Sequence, residues 1–292
     1  MERDNTNHKE LGRPRRVTLS QADLDILSLV LDHRFLRRDH ASLLTGRHEK
    51  RLHRNLLKLS THGYLTTVRL PQQKHIYGLG NAGLDVLAER GLGSPDLAGV
   101  RLRTHELSEL FLKHEMMIVD IHVKLTVSSK TGETRLLSWN EGSQLYDEVT
   151  VSDRKGNNRL PVRPDAFFTL EDSCRPEGAN RAHFVLEADR STANHARFQE
   201  KIRAYWSYIE QGLHEKKYGV KGFRVLTVTL TDARARNLTA LTASLVPERA
   251  RKYFMFISQS KLSQASNPVR DAVCYSPRGT LDQLHPLVSS AN

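Results

Sequence analysis

A break in the hydrophobic pattern between Gly91 and Gly99, carrying Gly93, Ser94, Pro95 and Gly99, divides the chain into two blocks that need separate cores. Before the break most apolar residues recur at helical spacing. After it one long amphipathic helix gives way to strand-like runs. The predicted organisation is a basic arm over 1–17, a first domain over 18–92, a linker over 93–103, a second domain over 104–260 and a C-terminal extension over 261–292. A chain of 292 residues has material for two such cores.

Charge narrows the partner. Lys and Arg number 44 against 33 Asp and Glu, a formal charge of +11, which favours a polyanion, nucleic acid being the commonest. No run of eighteen apolar residues occurs, and Met1 to Arg16 is polar, so neither membrane insertion nor secretion is expected and a cytoplasmic protein is. The arm around Arg13, Pro14, Arg15 and Arg16 reads as a disordered, solvated tail. Two isolated cysteines, Cys174 and Cys274, exclude a disulfide framework and a multi-cysteine zinc site. His105 and Glu109 have helical spacing but no third zinc ligand follows, and no Gly-rich phosphate loop is present.

In the first block, Leu24, Leu27, Val30 and Leu31 predict a helix with Ser20 as its N-cap. A short helix over Arg38 to Leu44 stops at Thr45-Gly46, and a third runs from Arg47 to His62 with Leu52, Leu56 and Leu59 inward. Tyr64 to Leu70 and Lys74 to Leu79, joined by Pro71-Gln72-Gln73, read as a β-hairpin, and a helix over Ala82 to Arg90 follows. The order helix, helix, turn, helix, hairpin, helix resembles a winged helix-turn-helix domain. The third helix carries Arg47, Lys50, Arg51, Arg54 and Lys58 in one stripe against a single acid, Glu49, as a helix lying in the major groove of double-stranded DNA requires. Lys74 and His75 would touch backbone phosphate from the wing.

In the second block, Glu106 to Leu125 forms a helix whose stripe runs Leu107, Leu110, Phe111, His114, Ile118, Ile121 and Leu125, with His114 read as a core residue. Strands are expected over Leu136 to Glu141, Val162 to Leu170, His183 to Asp189, Phe223 to Leu230 and Tyr253 to Ser258, with helices over His195 to Ile209 and Ala233 to Leu245. Lys216, Lys217, Lys221, Arg234 and Arg236 spread positive charge that either extends a DNA track or solvates the surface, and the stretch after Ser258 gives little signal. The fold class is α+β, its second domain an α/β unit built on one mixed sheet.

Glu187 and Asp189 project from one side of their strand, about 6.6 Å apart, with Phe184, Leu186 and Ala188 on the other. Asp165 joins them if the two strands are neighbours, giving an oxygen-rich pocket suited to Mg2+ or Mn2+. The plain alternative is a structural salt bridge from Asp189 to Arg190 or Arg163. Pro164-Asp165 and Glu187, within the order α, β, β, β, α, β, resemble the PD-(D/E)xK nuclease core. That resemblance implies catalytic Asp165, Glu187 and Asp189 binding a divalent metal. Asp189 stands where the motif lysine would be, so Lys201, or Arg190 after it, is the candidate replacement. The whole layout, with Arg163-Pro164-Asp165, Phe184 to Arg190 and Lys201 to Tyr205 behind a winged helix, looks like the replication-relaxation family of plasmid and mobile-element proteins. The family implies DNA binding in replication or relaxation, with replication or mobilisation proteins and a homodimer as candidate partners. Three readings stay open: a DNA nickase, a non-enzymatic regulator using a degenerate nuclease fold as clamp or platform, and a ligand-sensing repressor.

Overall fold

The computed structural model describes residues 17–70, 74–92, 108–130, 133–153, 156–190 and 195–284. The predicted arm up to residue 16, the linker and the hairpin tip Pro71 to Gln73 lie outside them. The chain divides into two compact units, Met1–Glu109 and Leu110–Asn292.

The first unit runs α1 (Gln21–His33), β1 (Phe35–Arg37), α2 (Arg38–Thr45), α3 (Glu49–Thr61), β2 (Leu65–Val68), β3 (Ile76–Leu79) and α4 (Asn81–Glu89). Ser20 caps α1 through a reciprocal box: its hydroxyl accepts from the Asp23 amide, and the Asp23 carboxylate accepts from the Ser20 amide at 2.8 Å. Leu24, Leu27 and Val30 of α1 and Leu52, Leu56 and Leu59 of α3 are all buried. The three strands form an antiparallel sheet in the order β1-β3-β2. β1 has no signal in the sequence, because three residues with both Phe35 and Leu36 buried show neither alternation nor helical period. Gly83 sits where a Cβ would come within 2.2 Å of the Tyr64 carbonyl oxygen, so only glycine lets α4 approach β2 this closely.

The second unit runs α5 (Glu109–Ser128), β4 (Thr134–Asn140), β5 (Asp147–Asp153), β6 (Gly156–Val162), β7 (Ala166–Asp172), β8 (Arg181–Asp189), α6 (His195–Glu210), α7 (Leu213–Tyr218), β9 (Arg224–Thr229), α8 (Asp232–Leu245), β10 (Phe254–Ser258), α9 (Gln259–Gln264), β11 (Cys274–Tyr275) and β12 (Leu281–Asp282). Seven strands make one mixed sheet in the order β12-β11-β10-β9-β8-β7-β4, with β8, β9 and β10 parallel. Along β8, Phe184, Leu186 and Ala188 pack with Ile118, Ile121 and Leu125 of α5, while Val185 packs with Phe198 and Ile202 of α6 and Leu238 of α8. Alternation thus splits the core into two layers, one on each face of the sheet.

Three expectations need correction here. The strand expected over Val162 to Leu170 is two: Val162 ends β6, paired with Asp147, and the ladder resumes at Ala166. Pro164 has no N–H to continue a ladder, so the chain crosses there from the β5–β6 hairpin to the main sheet. The stripe on α5 is not buried to its start, since Leu110 is 68% exposed, and Leu107 lies outside the described residues. The stretch after Ser258 is structured: β11 and β12 extend the sheet beyond β10. At the other edge, the register of β4 against β7 shifts between Leu136 and Ser138.

Lys58 and Asp23 carry one lesson about the first unit. Asp23 is fully buried, and burial raises its carboxyl, but hydrogen bonds from Lys58, Asn55 and Ser20 outweigh this and hold it at about 2. Removing Lys58 leaves that carboxylate short of a partner, so Lys58→Met is expected to destabilise the protein by about 1–3 kcal/mol. Arg54→Ala, on the exposed side of the same helix, should stay within about 0.5 kcal/mol of wild type. Thermal unfolding of the two variants checks the contrast; equal losses would refute it.

Candidate functional site

Two surfaces concentrate the residues singled out by sequence. On α3 the five-cation stripe divides. Lys58 donates to Asp23 at 2.7 Å and to the Thr18 carbonyl at 3.0 Å. Arg47 precedes the helix rather than starting it, and reaches Asp25 at 2.6 Å and the Ala22 carbonyl at 3.4 Å. Compensating acids therefore exist, supplied by α1 rather than by α3 itself. Lys50, Arg51 and Arg54 remain exposed, with no ion pair among the described residues. Glu49, the one acid of the helix, is taken by Arg38 at 2.9 Å. Lys74 reaches Asp39 at 3.2 Å while staying 66% exposed, and His75 is exposed beside Tyr77.

The second surface is a cavity of about 380 Å3 in the Leu110–Asn292 unit. Asp165, Glu187, Asp189 and Lys201 all line it. The antiparallel register of β7 on β8 and the crossover before β7 bring them there: the Asp165 amide donates to the Leu186 carbonyl at 2.9 Å, and its Oδ2 accepts from the Ala188 amide at 2.7 Å. Asp165 Oδ1 meets His114 Nε2 at 3.0 Å. Glu187, 3% exposed, accepts from Lys201 Nζ on one oxygen and from the Tyr205 hydroxyl on the other. Asp189 pairs with Arg234 at 2.8 Å, not with Arg190 or Arg163.

Three of these partners are not evident from the sequence. His114 belongs to an apolar stripe, which points to the core; it faces the cleft because α5 leaves the core near its start. Arg234 has the pattern of surface charge, yet its side chain is only 14% exposed against Asp189. Tyr205 marks the face of α6 that bears Lys201, with nothing local to show that its hydroxyl meets an acid. The spacing of α6 does carry a signal, since Lys201 and Tyr205 are four residues apart and so share that face.

Electrostatics follow from burial. Burial raises the Glu187 carboxyl, with Lys201 pulling against it. Burial also opposes the Lys201 ammonium, but Glu187, Asp165 and Asp189 outweigh it and raise Lys201 above its ordinary value. Lys201 thus pairs with Glu187 and also feels the field of Asp165 and Asp189. Tyr205 is pushed well up by burial and by Glu187, and stays a donor.

This distribution bears on a metal. Mg2+ or Mn2+ requires several oxygens facing one point. Here each carboxylate turns to its own cation or amide, and among the described residues no three His, Cys, Asp or Glu side chains form a group able to hold a metal ion. The donor set as arranged does not fit a divalent ion.

A family described as replication-relaxation matches residues 27–223. The chain belongs to that family. The matched span contains α3 and every cleft residue named above but not Arg234, the partner of Asp189, and membership makes this a replication-related protein. No curated protein and no solved structure matches the chain. Among the described residues no helix is long and apolar enough to cross a membrane.

His114 gives a pH test. Its hydrogen bond to Asp165 raises the imidazole above its ordinary 6.5 against the pull of burial, with Glu115 and Glu187 adding to the rise. A raised group contributes fully below its unfolded value, and the contribution is lost as pH rises through the folded one. Stability should therefore fall across that window in the wild type, and His114→Gln should flatten this part of the curve. Unfolding temperature measured from about pH 5 to 9 checks it; an unchanged slope in the variant would refute the pairing.

Proposed function

We propose that this replication-relaxation chain binds double-stranded DNA in the replication of a plasmid or mobile element, with α3 as the element that meets the duplex. The observation that carries the reading is the division of the α3 cations: two are spent holding α1, while Lys50, Arg51 and Arg54 face outward without acidic partners among the described residues. A helix charged on one side suits a major groove, with Lys74 and His75 near the hairpin tip as backbone contacts. In this reading the first unit is a winged helix-turn-helix.

The second unit, read as a PD-(D/E)xK-like core, engages DNA as a clamp or platform and does not cut it through Mg2+ or Mn2+. What supports this is that Asp165, Glu187 and Asp189 are each already engaged by a side chain of the same protein, His114, Lys201 and Arg234 in turn. Lys201, the substitute for the motif lysine, is engaged by Glu187 rather than available to a water.

Replacing Lys50, Arg51 and Arg54 with Ala should weaken duplex binding and lower the slope of log affinity against log salt by about 0.9 for each phosphate no longer neutralised. A titration at several salt concentrations reads both, and an unchanged slope would sink the assignment of α3. Supercoiled plasmid incubated with the protein in Mg2+ or Mn2+, beside Asp165→Ala and EDTA controls, should stay supercoiled. Metal-dependent relaxation that disappears in Asp165→Ala would overturn the non-cutting reading and restore the nickase.

A further inference from the structure

The acids of the cleft are matched one by one, yet the cavity keeps positive charge that the fold leaves unused. Arg163, on the crossover from β6 to β7, and Arg190, just past β8, both line it. Arg163 lies with its guanidinium 5.7 Å from the ring centre of Tyr146, and Arg190 donates one N–H to the Lys113 carbonyl at 3.0 Å. No carboxylate among the described residues pairs with either, and each guanidinium has five N–H donors to satisfy. Glu200 is the remaining acid on the lining, exposed at the rim.

Two further facts shape what would fill the space. The cavity has the volume of a small-molecule site, enough for a nucleotide unit but not for the body of a duplex. Tyr146, beside the cavity rather than on its lining, is 44% exposed; Arg163 stands over its ring, and the exposed remainder is of the kind on which a base stacks. Guanidinium donors beside an aromatic ring match a phosphate joined to a base, which offers an anion and a stacking ring in one unit.

We infer that the cleft of the second unit holds a single strand of nucleic acid, its phosphate on Arg163 and Arg190 and a base against Tyr146, with no divalent ion between them. This rests on the proposed DNA-binding function for the identity of the polymer, but it uses none of the α3 residues. The phosphate is either a strand's terminal monoester or an internal diester; both present non-bridging anionic oxygens to the two arginines.

The test uses the full chain in EDTA and an eight-residue oligothymidylate labelled at its 3′ end, with a 5′ phosphate in one arm and a 5′ hydroxyl in the other. Fluorescence anisotropy is recorded for wild type, for Arg163→Gln combined with Arg190→Gln, and for Tyr146→Ala. Each variant should weaken binding by about tenfold. A preference for the 5′-phosphorylated strand assigns the arginines to a monoester, and equal affinity assigns them to a diester; either result supports the site. Variants that bind as wild type does overturn it, as does binding that appears only when Mg2+ is added. Arg163 and Tyr146 are exposed, so unchanged thermal unfolding in Arg163→Gln alone and in Tyr146→Ala separates a missing ligand group from a disrupted fold. The α3 variant measured on duplex in parallel keeps the two readings apart: weakened duplex binding there, with the cleft variants unaffected, discards this inference and leaves duplex recognition standing.

Discussion

A carboxylate buried near the end of a central strand is the constraint around which the second unit is organised. Glu187 lies on β8 between Leu186 and Ala188, where burial of a bare charge would cost several kcal/mol. The fold answers with Lys201 and Tyr205 from successive turns of α6, so the acid fixes the rotation of that helix on the sheet. Its neighbours act likewise. Asp165 holds His114 of α5, and Asp189 holds Arg234 of α8. Each of the three acids therefore ties a different helix to the sheet, and the acids with His114, Lys201 and Tyr205 also line the cleft. Packing and site chemistry are inseparable here, because the charges that would act on a ligand also hold the helices in place.

The first unit solves a similar problem with the opposite surplus. α3 has cations to spare, and α1 contributes Asp23 and Asp25 to absorb two of them. Asp23 serves twice, closing the cap of its own helix and receiving Lys58 and Asn55 from α3. What remains on the solvent side is a compact group of three positive side chains whose helix is already anchored.

Much of this is legible in the chain. Leucines at three- and four-residue spacing locate α1 and α3, Ser20 marks the start of α1, and strict alternation along β8 sets Glu187 apart from Phe184, Leu186 and Ala188. Lys201 stands out because it shares a helix face with Tyr205. The hidden parts depend on distant pairings. Asp165 meets His114 from 51 residues away, and Asp189 meets Arg234 from 45, so no local period could announce either. The β5–β6 hairpin is equally silent, since its strand β6 runs through Asn157, Asn158 and Arg159 with little apolar material. Without it, Val162 looks continuous with β7, and the crossover that positions Asp165 and Arg163 stays out of sight.

The two edges of the large sheet have a consequence for how the molecule behaves in company. A sheet with a parallel, largely apolar centre tempts other chains to add strands at its margins. One margin here ends in β12, two residues long, too brief to template a neighbour. The other, β4, loses its even spacing between Leu136 and Ser138, so an incoming strand would meet amides out of step halfway along. Both borders are thus poor docking lines for stray polypeptide, and the hydrophobic interior can be this continuous without making the protein adhesive.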